Sequence, residues 1–277
     1  PNPNYSTPAN VADDHLFSAR SEAVEGYWAS ESTVGSLIPI ADLELPASTS
    51  TVTDDLLSDQ QVLQITDALR NVPGASPVGD SLFGDRFFLR GLEVRSRDFR
   101  KNGFLDPTFT PRDFANVDRI EILKGPASVL YGSAAPSGTV NVITKKPIDH
   151  SFSHYNYQFG SFGLNRHELD TGGRVQQDGS LLYRFNGAYE DSDSFRDFGF
   201  TERYLVAPSV RWFLNDDTML TWEGELLEDK RRGDVGIAAI GGDVLALPRS
   251  RYLGEPGNDF FHTKDKRTSV VLDHRFD

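Results

Sequence analysis

Residues 119–147 read RIEILKGPASVLYGSAAPSGTVNVITKKP. The runs RIEILKG (119–125) and GTVNVITKK (138–146) contain β-branched residues in short apolar stretches, which predicts two strands. Between them ASVLYG (127–132) predicts a helical turn, and Gly125, Gly132 and Gly138 permit tight backbone turns around it. We therefore expect a packed strand–turn–strand unit in this part of the chain.

The sequence on the N-terminal side extends this unit into a small domain. DLLSDQQVLQITDALR (55–70) has leucine and valine at near-helical spacing and predicts a helix that ends at Asn71-Val72-Pro73-Gly74. FFLRG (87–91) predicts another short strand. Residues 48–147 are thus expected to form a small α+β domain. Residues 1–46 show no periodicity, and we expect them to be mostly extended or disordered.

The pattern changes after Pro147, where segments of about ten residues alternate apolar and polar side chains, a period typical of half-buried strands. Six candidate strands result, with weaker alternation in the second: 152–160, 164–176, 181–190, 204–214, 219–228 and 267–276.

Two interpretations of this alternation are open. A soluble β-sandwich or meander with one wet face is the common case. An outer-membrane barrel is favoured by aromatic residues on one face, charges on the other, and connections of alternating length. Residues 177–179 and 215–217 are expected as tight turns, and 191–203 and 229–265 as long loops. Pro208 lies inside a candidate strand, which argues against central pairing.

The composition excludes several classes of protein. Lys and Arg total 28 against 41 Asp and Glu, a net charge of −13, which disfavours a general nucleic-acid binder. The absence of cysteine excludes a disulfide framework, a cysteine-based zinc finger and a thiol nucleophile. No apolar run reaches the roughly 18 residues of a transmembrane helix. Charge is uneven, because residues 61–147 carry a net +3 between acidic flanks, which suggests contact between the segments.

The 119–147 segment closely resembles the plug domain of TonB-dependent outer-membrane receptors, especially the ferric-siderophore branch. TSTVTDDLLSDQQVLQITDALRNVPG (49–74), FFLRG, RKNGF (100–104) and ALPRSRYLGEPGNDFF (246–261) are similar to further parts of these receptors, in the same order. The resemblance implies an α+β plug domain followed by antiparallel transmembrane β-barrel strands, about six of an expected 22. The implied domains are a flexible leader (1–46), a plug (47–147) and the first strands of an incomplete barrel (148–277).

The resemblance also implies a ligand site on the apical loops of the plug, residues 79–86, 93–98 and 105–112. Arginine suits an anionic chelate, and phenylalanine suits its carbon frame. DFRKNGFLDPTF lacks the aspartate usual in this region of the family, which makes the assignment less specific. The expected siderophore contacts, each equally compatible with an ordinary solvated loop, are Asp80, Phe83, Arg95, Ser96, Arg97, Phe109, Thr110 and Arg112.

Two further sites are implied. Plug cations could pair with wall carboxylates as a latch, although ordinary solvated lumen charge is an equal alternative. The residues of this latch would be Arg90, Arg119, Lys124, Glu168, Asp170, Glu223 and Glu225. The resemblance also implies a contact with TonB, made by strand addition. Its position in the chain assigns this contact to a segment of the leader that could equally be an unremarkable disordered leader. That segment is Asp14, His15, Leu16, Phe17, Ser18 and Ala19.

The function implied by the resemblance is TonB-driven import of ferric siderophore across the outer membrane of a Gram-negative bacterium. The expected partners are the siderophore, TonB and outer-membrane lipid, with no nucleic acid. No catalytic constellation is present, since the six histidines are scattered and RHELD is not HExxH. We therefore expect no enzyme activity and no cofactor, because iron would arrive already chelated. The alternatives are another scarce cargo (a vitamin or glycan), a passive porin or adhesin, and a soluble β-rich binding module.

Overall fold

The computed structural model describes residues 24–29, 31–36, 40–78, 84–132 and 135–276. Its first part, the N-terminal unit, contains short strands and three short helices. The strands are β1 (Val24–Glu25), β2 (Trp28–Ala29), β3 (Glu31–Ser32), β4 (Ile40–Ala41), β5 (Ser48–Thr53), β6 (Ala75–Pro77), β7 (Phe87–Leu89), β8 (Leu92–Val94), β9 (Phe99–Lys101), β10 (Phe104–Leu105), β11 (Val117–Lys124) and β12 (Gly138–Thr144). The helices are α1 (Asp54–Asp59), α2 (Ile65–Ala68) and α3 (Ser128–Tyr131).

The second part, the wall, is one antiparallel meander of six strands. They are β13 (Phe152–Phe159), β14 (Asn165–Arg174), β15 (Leu181–Asp193), β16 (Phe200–Asn215), β17 (Thr218–Arg232) and β18 (Phe260–His274). No described helix is both long and apolar enough to cross a membrane.

The strand–turn–strand prediction for residues 119–147 is confirmed. β11 and β12 pair antiparallel, from Arg119 opposite Ile143 to Lys124 opposite Gly138, at the centre of a sheet with the order β10-β9-β12-β11-β5. Gly138 has φ of 150°, and a Cβ added there would lie 2.1 Å from the carbonyl oxygen of Leu123. Only glycine therefore fits this position without moving the backbone of β11.

The single helix predicted over residues 55–70 is wrong. The chain forms α1, breaks at Gln61, whose φ is 51°, and then forms α2 followed by a 3₁₀ turn over Leu69–Asn71. The break lets Val62 donate its backbone N–H to the Leu57 carbonyl (2.9 Å) and enter the core with Leu57 and Ile65. Tertiary packing thus overrides a pattern that locally favours one helix.

Two further predictions for the N-terminal unit need correction. Arg90 does not lie on a strand: with φ of 52° it forms, with Gly91, the two-residue turn between β7 and β8, a geometry that requires positive φ at both positions. Part of the expected leader is also structured. Val34 is fully buried against Leu123, and its carbonyl accepts a 3.0 Å bond from the Tyr131 hydroxyl.

The wall confirms the six predicted strands and has two chemically different faces. Cross-strand neighbours Tyr157, His167, Tyr189 and Tyr204 form an aromatic row on one face, and Trp212 lies in a row with Leu220 and Leu272 lower on the same face. The nine residues from Tyr204 to Trp212 span about 26 Å of strand, or about 20 Å at a tilt of about 40°. This height is close to that of the apolar band of an outer-membrane barrel.

The opposite face of the wall carries charges and contacts the N-terminal unit, so the aromatic rows are not the core of a sandwich. Tyr157, for example, is 49% exposed and Trp212 is 48% exposed, whereas Arg166 and Arg203 are buried. The soluble-sandwich interpretation therefore fails for the described residues.

The prediction of connections that alternate in length is only partly confirmed, because 175–180 and 194–199 both have six residues. Both predicted long loops are shorter than expected: they run over 194–199 and 233–259, because β15 to β18 extend beyond the alternating segments. Pro208 is accommodated inside β16: it pairs with Phe185 of β15, while the ladder to β17 is interrupted at 207–208 and resumes at Ser209. Gly224 lies opposite, so no side chain competes with the proline ring.

Candidate functional site

The three loops predicted to bind ligand are neighbours in the structure. The Arg112 guanidinium pairs with Asp85 (2.9 Å), and Gly84 lies directly against the backbone of Phe109. Arg86 in turn pairs with Glu93 (2.6 Å). Residues 84–86 therefore join 93–98 to 105–112, although Asp80 and Phe83 lie outside the described residues.

Arg112 is engaged within this loop cluster. It is buried, contacts Asp106 (2.8 Å) as well as Asp85, and its guanidinium carbon lies 4.0 Å from the centre of the Phe99 ring. The two carboxylates and the Phe99 ring stabilise the guanidinium charge in this buried, low-dielectric site. A ligand could reach Arg112 only after these pairs break.

The other predicted contacts differ in how far their side chains are exposed to solvent. Ser96 and Thr110 are buried. Phe109 is 69% exposed, and the Arg97 side chain is 74% exposed. Arg95 is exposed and contacts Glu93; its hydrogen bond and that of Arg86 lower the pKa of the Glu93 carboxyl. The cluster thus presents an aromatic ring and arginine side chains to solvent.

A buried charge node, which the sequence analysis missed, connects the N-terminal unit to the wall. The Asp113 carboxylate accepts hydrogen bonds from Arg166 Nη1 (2.9 Å) and Nη2 (2.7 Å), and Arg203 lies 3.7 Å away. Burial alone would raise the pKa of Asp113, but the two guanidinium groups outweigh it and hold that pKa well below its usual range. Arg166 and Arg203 keep further partners on the wall: Glu168, Glu190 and Asp229.

A second polar contact lies closer to the short turns of the wall. Glu223 accepts hydrogen bonds from Asn102 (3.0 Å) and Lys146 (2.8 Å), and also from Thr144. Glu225 contacts Lys101 and accepts a 2.8 Å bond from Asn116. Asn102 and Gly103, with φ of 50° and 84°, form the tight β9–β10 turn, which aims the Asn102 amide at the wall.

The family model described as TonB-dependent Receptor Plug Domain matches residues 41–139. The metal-pseudopaline receptor CntO of Pseudomonas aeruginosa is 42% identical over 164 residues, which are 59% of this chain and 23% of that protein. The catecholate siderophore receptor Fiu of Escherichia coli is 31% identical over 208 residues, 73% of this chain and 27% of Fiu.

The chain belongs to the TonB-dependent receptors. The closed form of Fiu superposes with a TM-score of 0.79 at 26% identity, covering 90% of this chain and 37% of that structure. The ferripyoverdine receptor of Pseudomonas aeruginosa gives 0.82 at 24% identity, covering 92% and 35%, which supports the fold. The chain spans about a quarter of the length of the two curated relatives. The family is one of receptors and transporters, and the fold prediction of plug plus barrel strands is confirmed.

With the family established, the N-terminal unit is the plug and the wall is the first part of the barrel. The predicted latch acids Glu223 and Glu225 do contact the plug, but through Lys101, Asn102 and Lys146. Their predicted partners lie elsewhere. Arg119 pairs with Asp118 (2.8 Å) and Glu121 (2.9 Å) inside the plug, and Arg90 donates to the Lys124 carbonyl (3.0 Å).

The remaining latch acids have different roles. Asp170 pairs with Arg184 (2.7 Å) on the wall and Lys145 (3.5 Å) of the plug, and Glu168 pairs with Arg166 (2.7 Å). The alternation along the strands identified these lumen-facing acids. The alternation could not reveal which part of the plug contacts these six strands. In the structure the contact is made by the β9–β10 turn and the end of β12, rather than by β11.

Two other predicted features concern TonB and metal. The segment Asp14–Ala19 lies outside the described residues. Among the residues that the structure describes, no group of three or more histidine, aspartate or glutamate side chains is arranged to hold a metal ion.

Proposed function

We propose that the full-length protein is an outer-membrane receptor that binds a ferric siderophore outside the cell and imports it with energy from TonB. The observation that carries this proposal is a plug docked by charges onto the lumen face of strands whose other face is apolar and aromatic. A passive pore has no use for a folded domain in its lumen. A scarce, bulky chelate requires tight capture followed by controlled opening.

The exposed plug side chains supply the chemistry for capture. Arg97 and Arg95 offer permanently charged donors to an anionic chelate, and Phe109 offers an apolar surface to its carbon frame. We propose these three as the first ligand contacts among the described residues. Arg112 holds the loops in place around them.

The test is uptake of ⁵⁵Fe by a strain lacking the full-length gene and by the same strain complemented with it, under iron starvation. We expect siderophore-dependent uptake that disappears when TonB is deleted, and fractionation of the protein with the outer membrane. Uptake that persists without TonB, with an open conductance in planar bilayers, would support a passive porin instead. Import of a vitamin or glycan would leave iron-limited growth unchanged in the deletion strain.

A second candidate cargo follows from the 42% identity to a metal-pseudopaline receptor. We propose as an alternative that the chelate carries a metal other than iron. Parallel uptake of ⁶⁵Zn, ⁶³Ni and ⁵⁵Fe with their chelators would separate the two cargoes, because only one metal should depend on the gene.

A further inference from the structure

The outward face of the strand pair β17–β18 changes its chemical character abruptly along its length. Glu225 and Arg267 point to the lumen, where they pair, so the residues that alternate with them point outward. Toward the short turns this outward face is apolar, as at Trp222, Val270 and Leu272. Toward the long loop it forms a cationic patch, whose members are Glu228, Lys230, Arg232, His262, Lys264 and Lys266. Three lysines and one arginine thus face a single carboxylate.

The cationic patch lies at the outer boundary of the apolar band. The loop that joins β17 to β18 is long, residues 233–259, and long loops are on the extracellular side of outer-membrane barrels. The register places Tyr204 opposite Glu228, and Glu228 opposite Lys264, so the aromatic row continues into the patch. Lys266 lies two residues nearer the short turns, and its stem extends toward this boundary to keep the ammonium in polar surroundings. The cations therefore stand where lipid headgroups meet the outer surface of the wall.

The single carboxylate of the patch is already engaged. Glu228 pairs with His262 Nε2 (2.6 Å) and with Lys264 Nζ (2.9 Å). Lys230 and Lys266 form no ion pair with any residue that the structure describes. Their two ammonium groups are therefore available to an anion that comes from outside the chain.

The surroundings of Lys230 confine such an anion to the strand pair β17–β18. The Lys230 ammonium lies 5.8 Å from the ring centres of both Phe200 and Phe260, and aromatic rings stabilise a cation without neutralising it. The outward carboxylates on the neighbouring strands β15 and β16 are Asp191, Asp193 and Glu202. These acids repel an anion that spreads toward their side of the wall. Charge complementarity is thus restricted to the cationic patch.

We propose that the cationic patch binds the phosphorylated headgroup of a lipid in the outer leaflet, with Lys230, Lys264 and Lys266 as its phosphate contacts. The acyl chains of this lipid lie along the apolar part of the same strands, where Val270 and Leu272 are 63% and 61% exposed. Cations directly above an apolar surface match a lipid rather than free phosphate, which gains nothing from the apolar residues. The inference rests on the outer-membrane location within the proposed function, and it is independent of the cargo.

The experiment uses purified full-length receptor in non-ionic detergent and native mass spectrometry, with diphosphoryl lipid A as the probe. Dephosphorylated lipid A tests whether the phosphate is required, and inorganic pyrophosphate tests whether the lipid is required. The variant is Lys230→Gln/Lys266→Gln. The matched control is Arg174→Gln/Arg275→Gln, which removes the same positive charge near the short turns, where both arginines pair with aspartates. The heat-dependent shift of a folded barrel in gel electrophoresis confirms that each variant folds.

We expect the wild type to bind diphosphoryl lipid A about tenfold or more tightly than the dephosphorylated lipid. A lysine near an anionic headgroup contributes about fivefold in affinity, so Lys230→Gln/Lys266→Gln should weaken diphosphoryl lipid A binding about twenty-fivefold. The control should match the wild type, and dephosphorylated lipid A should not distinguish the variants.

Four results would overturn the lipid site: no lipid binding by the wild type, equal wild-type affinity for the two lipids, an equal loss in variant and control, or pyrophosphate binding as tight as lipid binding. Any of them in a receptor that fractionates with the outer membrane refutes the lipid site alone. A receptor absent from the outer membrane refutes the proposed location as well.

Discussion

Replacing Asp113 with Asn should loosen the plug from the wall without unfolding either. The carboxylate is fully buried and is the plug's contribution to a node that includes Arg166 and Arg203. Removing one partner of a buried ion pair typically costs about 3–5 kcal/mol. Arg166 retains Glu168 and Glu190 as partners, and Arg203 retains Asp229. We therefore expect a loss of docking free energy at the lower end of this range, about 3 kcal/mol. That corresponds to a change of over a hundredfold in the docking equilibrium.

The assay exploits the absence of cysteine in this chain. Ala115→Cys, in a full-length receptor without other cysteines, places a thiol where the plug packs against Leu205 and Leu227 of the wall. When opening is fast relative to labelling, the maleimide-labelling rate reports the fraction of undocked plug. Adding Asp113→Asn should raise that rate about a hundredfold.

The matched control is Asp118→Asn, since Asp118 is an aspartate near Asp113 in sequence whose ion pair, with Arg119, is made inside the plug. We expect it to change the labelling rate less than threefold. The reasoning is refuted if Asp113→Asn labels as slowly as the parent, or if the two substitutions act equally.

The same node predicts a pH dependence whose sign follows from the depressed pKa of Asp113. A carboxyl with a lower pKa in the docked state stabilises docking at every pH above its undocked pKa, about 3.9. That stabilisation is lost only as the pH falls through the lower, docked-state value. Labelling of Ala115→Cys, corrected for the ionisation of the thiol, should therefore be constant from about pH 5 to 8 and accelerate only in stronger acid.

Three further substitutions test other parts of the structure. Glu223→Gln removes the charge that binds Lys146 and should weaken the lower plug–wall contact by about 1.5–3 kcal/mol, measured as faster labelling of the Ala115→Cys thiol; unchanged or slower labelling would contradict it. Gly138→Ala places a Cβ against the Leu123 carbonyl and should abolish a protease-resistant plug, which limited proteolysis of the membrane fraction would show. Val206→Arg puts a charge in the apolar band and should cost about 2–4 kcal/mol in refolding into vesicles, whereas an unchanged folding free energy would mean that this face does not meet lipid.

The sequence was sufficient for those parts of the fold that rest on local pattern. Alternation identified all six wall strands and the faces that their side chains occupy. The helix over 55–70 failed because Gln61 adopts a left-handed conformation that tertiary packing imposes on an otherwise helical pattern. Arg90 was misplaced because FFLRG reads as one strand, although its last two residues form the turn.

The candidate site was less accessible from sequence because it depends on contacts between distant segments. Asp113 is one aspartate among several in a polar loop, and only docking reveals that Arg166 and Arg203 converge on it from different strands. The sequence offered a partial signal: Arg166 lies on the lumen face of a predicted strand, whereas Arg203 fell within the predicted loop and only the structure places it on β16. Their partner could not be chosen without knowing which edge of the plug faces these strands.

The two kinds of contact in the receptor have different physical character, and this difference bears on how a plug can move. The plug core is apolar, with Phe87, Leu89, Phe99, Ile120 and Val140 completely buried, so disrupting it costs the hydrophobic burial of many side chains at once. The plug–wall contact is mainly polar and ionic, with one small apolar cluster around Leu205 and Leu227. Water can replace lost hydrogen bonds and ion pairs one at a time, but it cannot replace apolar burial. A pulling force applied to the plug should therefore separate it from the wall, or shift the β9–β10 hairpin, before the β-sheet core unfolds.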